Sequence, residues 1–203
     1  HFMVAYWDQT EVAAGKVYEF AQQTFIPSGK AFLIATPDDL LTLASKYNGG
    51  EYAFFEAQVV NDIDMTGKGY TNEGFSFYGT LNGLGHEIKG LTTPLFNLLY
   101  GSVKDVTITA NAVVSDVKEW DEINQYGAGL LSNYTYSGHE GQIIENVTVN
   151  GSLTIKDLTN DGNHYRIGGI VGQTIIPIKN CTNNATITLD GYSTDKALSV
   201  GGV

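Results

Sequence analysis

Three stretches of the chain share one arrangement of apolar and polar positions. They are Val103–Ile108 (VKDVTI), Ile144–Val149 (IENVTV) and Ile178–Asn183 (IKNCTN). Each begins with an apolar residue, passes through two polar residues ending in Asp or Asn, and resumes with a second apolar residue. From there the pattern alternates as a strand with one buried face does. Val106, Ile108 and Ala110 fall on one face, as do Val147 and Val149, then Leu153 and Ile155 beyond Gly151. In the third copy Cys181, Ala185, Ile187 and Leu189 share parity.

The first two apolar residues of each copy are three apart, an odd spacing that would put them on opposite faces of a flat strand. Both can point inward only if the chain corners between them. Asp105, Asn146 and Asn180 stand at that point, and Asn and Asp suit it because their side chains bond nearby backbone and tolerate the left-handed region. A second repeated element comprises Gly127–Leu131 (GAGLL), Gly168–Gly172 (GGIVG) and Val200–Val203 (VGGV), with Pro94–Phe96 (PLF) as a degenerate earlier copy. Aligned on Gly129, Gly169 and Gly202, the period is 40 and then 33 residues. Variable periods with constant strands imply insertions in loops. The last copy stops within its motif at Val203, and the chain starts at His1 without an initiator Met, so a longer natural protein is expected.

The N-terminal third is less regular. Residues 36–46 (TPDDLLTLASK) predict a short helix, with Thr36 as N-cap, Pro37 in the first turn, and Asp38, Asp39 and Lys46 complementing the helix ends. Its buried stripe is read as Leu40, Leu41 and Ala44. Strand-like segments follow at Glu56–Val60 and Asn61–Met65, then a loop with Phe75, Phe77 and Tyr78. The division drawn is 1–35 as an N-terminal strand or cap segment and 36–203 as the repeat body.

Five motifs in order carry a family resemblance: Asp38–Leu41, Asn61–Met65, Gly79–Gly90 (GTLNGLGHEIKG), Gly168–Gly172 and Ile178–Cys181. Residues 34–203 resemble secreted bacterial cell-surface proteins carrying GLUG motifs on a pectin-lyase-like fold. The repeats predict an all-β solenoid, a parallel β-helix with a short N-terminal capping helix, and the resemblance implies that this β-helix is right-handed. The resemblance implies an extracellular or bacterial cell-surface location and a role that in such proteins is often adhesive or unknown. It brings no catalytic set.

Composition narrows the partners. Acidic residues number 22 against 11 basic ones, for a net charge of −11, and Arg166 is the sole arginine. No Lys/Arg cluster exists to neutralise phosphates, which excludes nucleic acid as a partner. No apolar run is long enough to span a bilayer, so no membrane insertion is expected of this segment. The single Cys181 cannot form an internal disulfide, and its place in the repeat is that of a small core residue.

A pectin-lyase-like fold also hosts polysaccharide lyases and hydrolases, which need converging carboxylates or a base with a cation. Asp38 and Asp39 belong to the helix start, and His164 with Arg166 lacks partner carboxylates. No catalytic residue is assigned. Asp62 and Asp64 alternate with Ile63 and Met65 and are the candidate Ca²⁺ ligands, so Ca²⁺ is the one cofactor considered. Equivalent insertions at 111–126, 156–166 and 190–197 are expected on one side. They carry Trp120, Tyr126, Tyr165 and Tyr192, and the loop at 132–142 adds Tyr134 and Tyr136. Aromatics beside polar acceptors suit sugar rings, so these six are the candidate ligand-binding residues. The expected function is a non-catalytic surface or adhesin-like segment binding a glycan or a host surface. A polysaccharide-degrading enzyme and a calcium-stabilised scaffold are the alternatives.

Overall fold

The computed structural model describes residues 31–46, 55–115, 117, 125–136, 140–156, 164–191 and 197–202. Strand β1 (Ala31–Ile34) leads into helix α1 (Pro37–Lys46). Short strands follow: β2 (Glu56–Val59), β3 (Ile63–Asp64), β4 (Ser76–Phe77), β5 (Thr80–Asn82), β6 (Glu87–Leu91) and β7 (Phe96–Leu99). The repeats supply β8 (Ser102–Val114), β9 (Gln125–Ala128), β10 (Ser132–Thr135), β11 (Ile144–Lys156), β12 (His164–Gly168) and β13 (Val171–Gln173). The chain closes with β14 (Ile178–Lys179), β15 (Thr182–Asn183), β16 (Thr186–Asp190) and β17 (Ala197–Gly201).

All described strand pairs are parallel, and they form three sheets. The ten-stranded sheet runs β1-β2-β5-β8-β11-β14, with β3, β6, β15 and β16 attached beside this path. A four-stranded sheet runs β13-β10-β7-β4 and a three-stranded one β17-β12-β9. This arrangement corrects the expected fold class. The all-β right-handed parallel β-helix gives way to a mostly β chain with one helix, its parallel strands in three separate sheets that do not close on one another. Repetition identifies which segments stack; it does not determine how the sheets formed by those stacks are joined.

The stacking itself follows the repeat. Val106 pairs with Val147, Val103 with Ile144, and Ile144 with Ile178. Val106, Val147, Ile108 and Val149 are buried, and residues of all three sheets and α1 enter one apolar cluster. Asp105, Asn146 and Asn180 have φ of 51°, 55° and 52°, the left-handed corner that keeps both apolar residues inward. Asn146 Nδ2 donates to Asp105 Oδ1 at 2.8 Å, tying two corners together. Cys181 is half-buried against the cluster rather than fully enclosed. In the three-stranded sheet Gly127 pairs with Arg166 and Ala128 with Ile167, one residue short of the alignment on Gly129 and Gly169.

Helix α1 starts where the capping chemistry places it. Asp39 N donates to Thr36 Oγ1 at 3.3 Å, and Asp39 Oδ2 accepts from Thr36 N at 2.8 Å. This reciprocal pair is a capping box with Asp in place of Glu. The buried stripe is Leu40 and Leu43, with Leu41 and Ala44 only partly covered, which shifts the expected stripe around the helix. The 3.6-residue period satisfies either set, and packing chose between them.

Candidate functional site

The structure separates the six aromatic candidates. Tyr134 lies within β10 and is 1% exposed, and Tyr165 within β12 is 4% exposed. Neither ring has an open face, which corrects their assignment as ligand-binding residues: both spend their apolar surface on packing. Tyr136, just past the end of β10, is 42% exposed. Trp120 and Tyr192 lie outside the described residues, as does the side chain of Tyr126, whose backbone pairs with Tyr165.

Tyr136 is one member of a row that sequence reasoning did not assemble. Ser76 and Phe77 pair with Leu98 and Leu99, and Leu99 pairs with Thr135. The residues that follow, Tyr78, Tyr100 and Tyr136, therefore stand in register at one edge of the four-stranded sheet. Tyr78 and Tyr100 stack at 4.3 Å between ring centroids and 4° between planes. Tyr136 lies 5.2 Å from Tyr100 but is tilted by 55°. Tyr134 pairs with Gln173, which puts Ile175, 54% exposed, at the next position of the row. Gln142 Nε2 donates to the Tyr100 carbonyl and so braces the backbone under the middle ring. Burial, then the neighbouring Tyr78, pushes the Tyr100 phenol above its ordinary pKa, so it stays a neutral donor. The signal was an aromatic after each of three successive strands, obscured because the intervals between them differ.

Asp62 and Asp64 do point outward from β3 and its approach, with Ile63 and Met65 buried between and beyond them. Each serves its own donors. Asp62 Oδ1 accepts from Glu87 N at 3.0 Å and lies 3.1 Å from His86 Nδ1. Asp64 Oδ1 accepts from Thr66 N at 3.0 Å, and its Oδ2 is 3.7 Å from Lys89 Nζ. The two carboxylates tie neighbouring turns together instead of converging on a common point. Among the described residues no group of three or more His, Cys, Asp or Glu side chains could hold a metal ion.

The bond from Glu87 N, followed by the one to His86, holds the Asp62 carboxyl below its ordinary value of 3.8. A depressed folded-state pKa means a stabilisation fully present above the unfolded value and lost as pH falls through the folded one. The Asp62 carboxyl carbon followed by NMR is accordingly expected to titrate below 3.8, and His86→Ala to move the midpoint only part of the way back. A midpoint at or above the ordinary value would show that these contacts do not form in solution.

No protein-family model matches the chain, and no curated protein matches it. Among solved structures it is similar to a Bacteroides ovatus protein provisionally described as an immunoglobulin A1 protease. The TM-score is 0.49 at 17% identity, covering 85% of this chain and 65% of that one. This chain thus spans less than two thirds of that protein's length. A likeness at that level decides neither fold nor chemistry.

Proposed function

We propose that the chain is a non-catalytic, surface-displayed recognition segment that binds carbohydrate through the row formed by Tyr78, Tyr100 and Tyr136. The observation that supports this is the register of the three rings, extended by the exposed Ile175. Prior stacking of Tyr78 on Tyr100 lowers the conformational cost of ordering them against a ligand. Their stacked faces are turned to each other, so they offer ring edges and hydroxyls, while Tyr136, tilted by 55° and 42% exposed, is the most open ring of the row. Shallow contacts of this kind give single-site affinities of the order of millimolar, or roughly −4 kcal/mol. Display of many copies on an extracellular or cell surface raises the effective strength without new contacts.

Glycan-array binding is expected to weaken roughly tenfold, ~1.4 kcal/mol, in Tyr136→Ala with the thermal melt preserved. Unchanged binding would move the site off the row. Release of reducing ends or unsaturated products from acidic or neutral polysaccharides, with or without Ca²⁺, and abolished by replacing one Asp or Glu, would overturn the non-catalytic reading.

A further inference from the structure

A cleft of about 250 Å³ opens where the turn at 71–74, the segment 93–97, the end of β8 at 113–115 and Asn133 of β10 meet. Its wall is fixed from below. The Tyr70 hydroxyl donates to the Leu95 carbonyl, Asn97 N donates to the Phe75 carbonyl at 3.1 Å, and the Phe75 and Phe96 rings pack at 5.3 Å. Three asparagines line it: Asn72, Asn97 and Asn133. Asn133 is only 6% exposed, and its Nδ2 donates to Asn97 Oδ1 at 3.1 Å. Its Oδ1 has no hydrogen-bond partner, and neither does Asn72 Nδ2. Buried amide atoms are paired in the great majority of cases, and leaving them unpaired is costly. One uncommitted acceptor and one uncommitted donor therefore lie just beneath the cleft wall, beside the apolar surfaces of Val113 and Val114.

We propose that this cleft binds a single neutral sugar ring, with Asn72, Asn97 and Asn133 reading its hydroxyls. Each sugar hydroxyl both donates and accepts, so adjacent hydroxyls can satisfy the amide donor and acceptor together once the two side chains turn toward the cleft, while the ring's C–H face lies on the exposed Val113. The volume falls just below the roughly 300 Å³ at which drug-sized sites begin, which suits one ring rather than a chain. Charge sets the class. Glu73 is the one charged residue among the described lining residues, and no Lys, Arg or His is among them, so a uronate or sulfated sugar meets repulsion there. The site shares its ligand class with the tyrosine row but none of its residues. Asn97 precedes Tyr100 by three positions, roughly 10 Å of strand, so either site can fail alone.

The test is a titration of the ¹⁵N-labelled chain with the methyl glycosides of glucose, galactose, mannose and N-acetylglucosamine, and with glucuronate as the charged control. At least one neutral glycoside is expected to shift the amides of 72–74, 95–97, 113–115 and 133 saturably, and glucuronate to bind roughly tenfold more weakly or not at all. The partly exposed Asn97→Ala and Asn72→Ala are each expected to weaken binding roughly tenfold while the rest of the spectrum is unchanged, which keeps the test valid if Asn133→Ala does not fold. Tyr136→Ala is expected to leave this binding unaltered even if it removes glycan-array binding. Absence of saturable shifts at these amides with all four glycosides, equal binding of glucuronate, or full affinity in Asn97→Ala and Asn72→Ala would overturn the proposal.

Discussion

Replacing Val147 by Asp is expected to destabilise the chain by about 3–5 kcal/mol, enough to unfold most single domains. Val147 is fully buried, pairs with Val106 in the ten-stranded sheet and lies in the shared apolar cluster. A carboxylate there has no cation within the cluster to meet it, so the chain must bury a charge, protonate it or open the sheet. The matched control is Val113→Asp near the end of β8, where the side chain is 55% exposed and the same change is expected to cost under ~0.5 kcal/mol. Urea unfolding of the two variants measures the difference. A Val147→Asp protein within about 1 kcal/mol of the parent would mean that this position does not face a packed interior.

The second large effect concerns a backbone position. Gly151 sits inside β11 with φ of +102°, and a Cβ built there would meet the Ala110 carbonyl oxygen at 2.0 Å. Ala110 is its strand partner in β8, so the obstacle is backbone in a ladder and cannot swing aside as a side-chain tip would. Gly151→Ala combines that clash with the strain of a non-glycine residue at positive φ, for an expected loss of about 2–4 kcal/mol. Gly141 separates the two contributions. Its φ is +85° but nothing lies within 4 Å of an added Cβ, so Gly141→Ala should lose only the conformational part, about 1 kcal/mol. Equal losses at the two glycines, measured by thermal or urea unfolding, would show that β8 and β11 do not approach as closely as described.

Several features of the fold are local and were therefore legible along the chain. The odd spacing of Val103 and Val106, and of Ile144 and Val147, requires a corner, and the residues that tolerate the left-handed region stand at it with φ near 50°. The box between Thr36 and Asp39 begins α1 because its partners are three residues apart. Repetition also identified the parallel partners, since a residue of one copy pairs with its equivalent in the next. What the sequence by itself determined is thus the inward face of each long strand, the corners, the helix start and the order of stacking. Each depends on neighbours in the chain or on the repeat itself.

Tertiary structure decided the rest, because alternation reports which face of a strand is buried but not what lies over the other. Tyr134 and Tyr136 are two residues apart, yet one is enclosed and the other open, according to whether other segments cover them. Tyr78, Tyr100 and Tyr136 come together across unequal intervals that no fixed period reveals. The unpaired amide atoms of Asn72 and Asn133 acquire meaning only when the 71–74 turn settles against β7 and β10. The arrangement in three separate sheets likewise depends on where ladders of hydrogen bonds end in space, which is set by contacts between repeats and not by the pattern within any one of them.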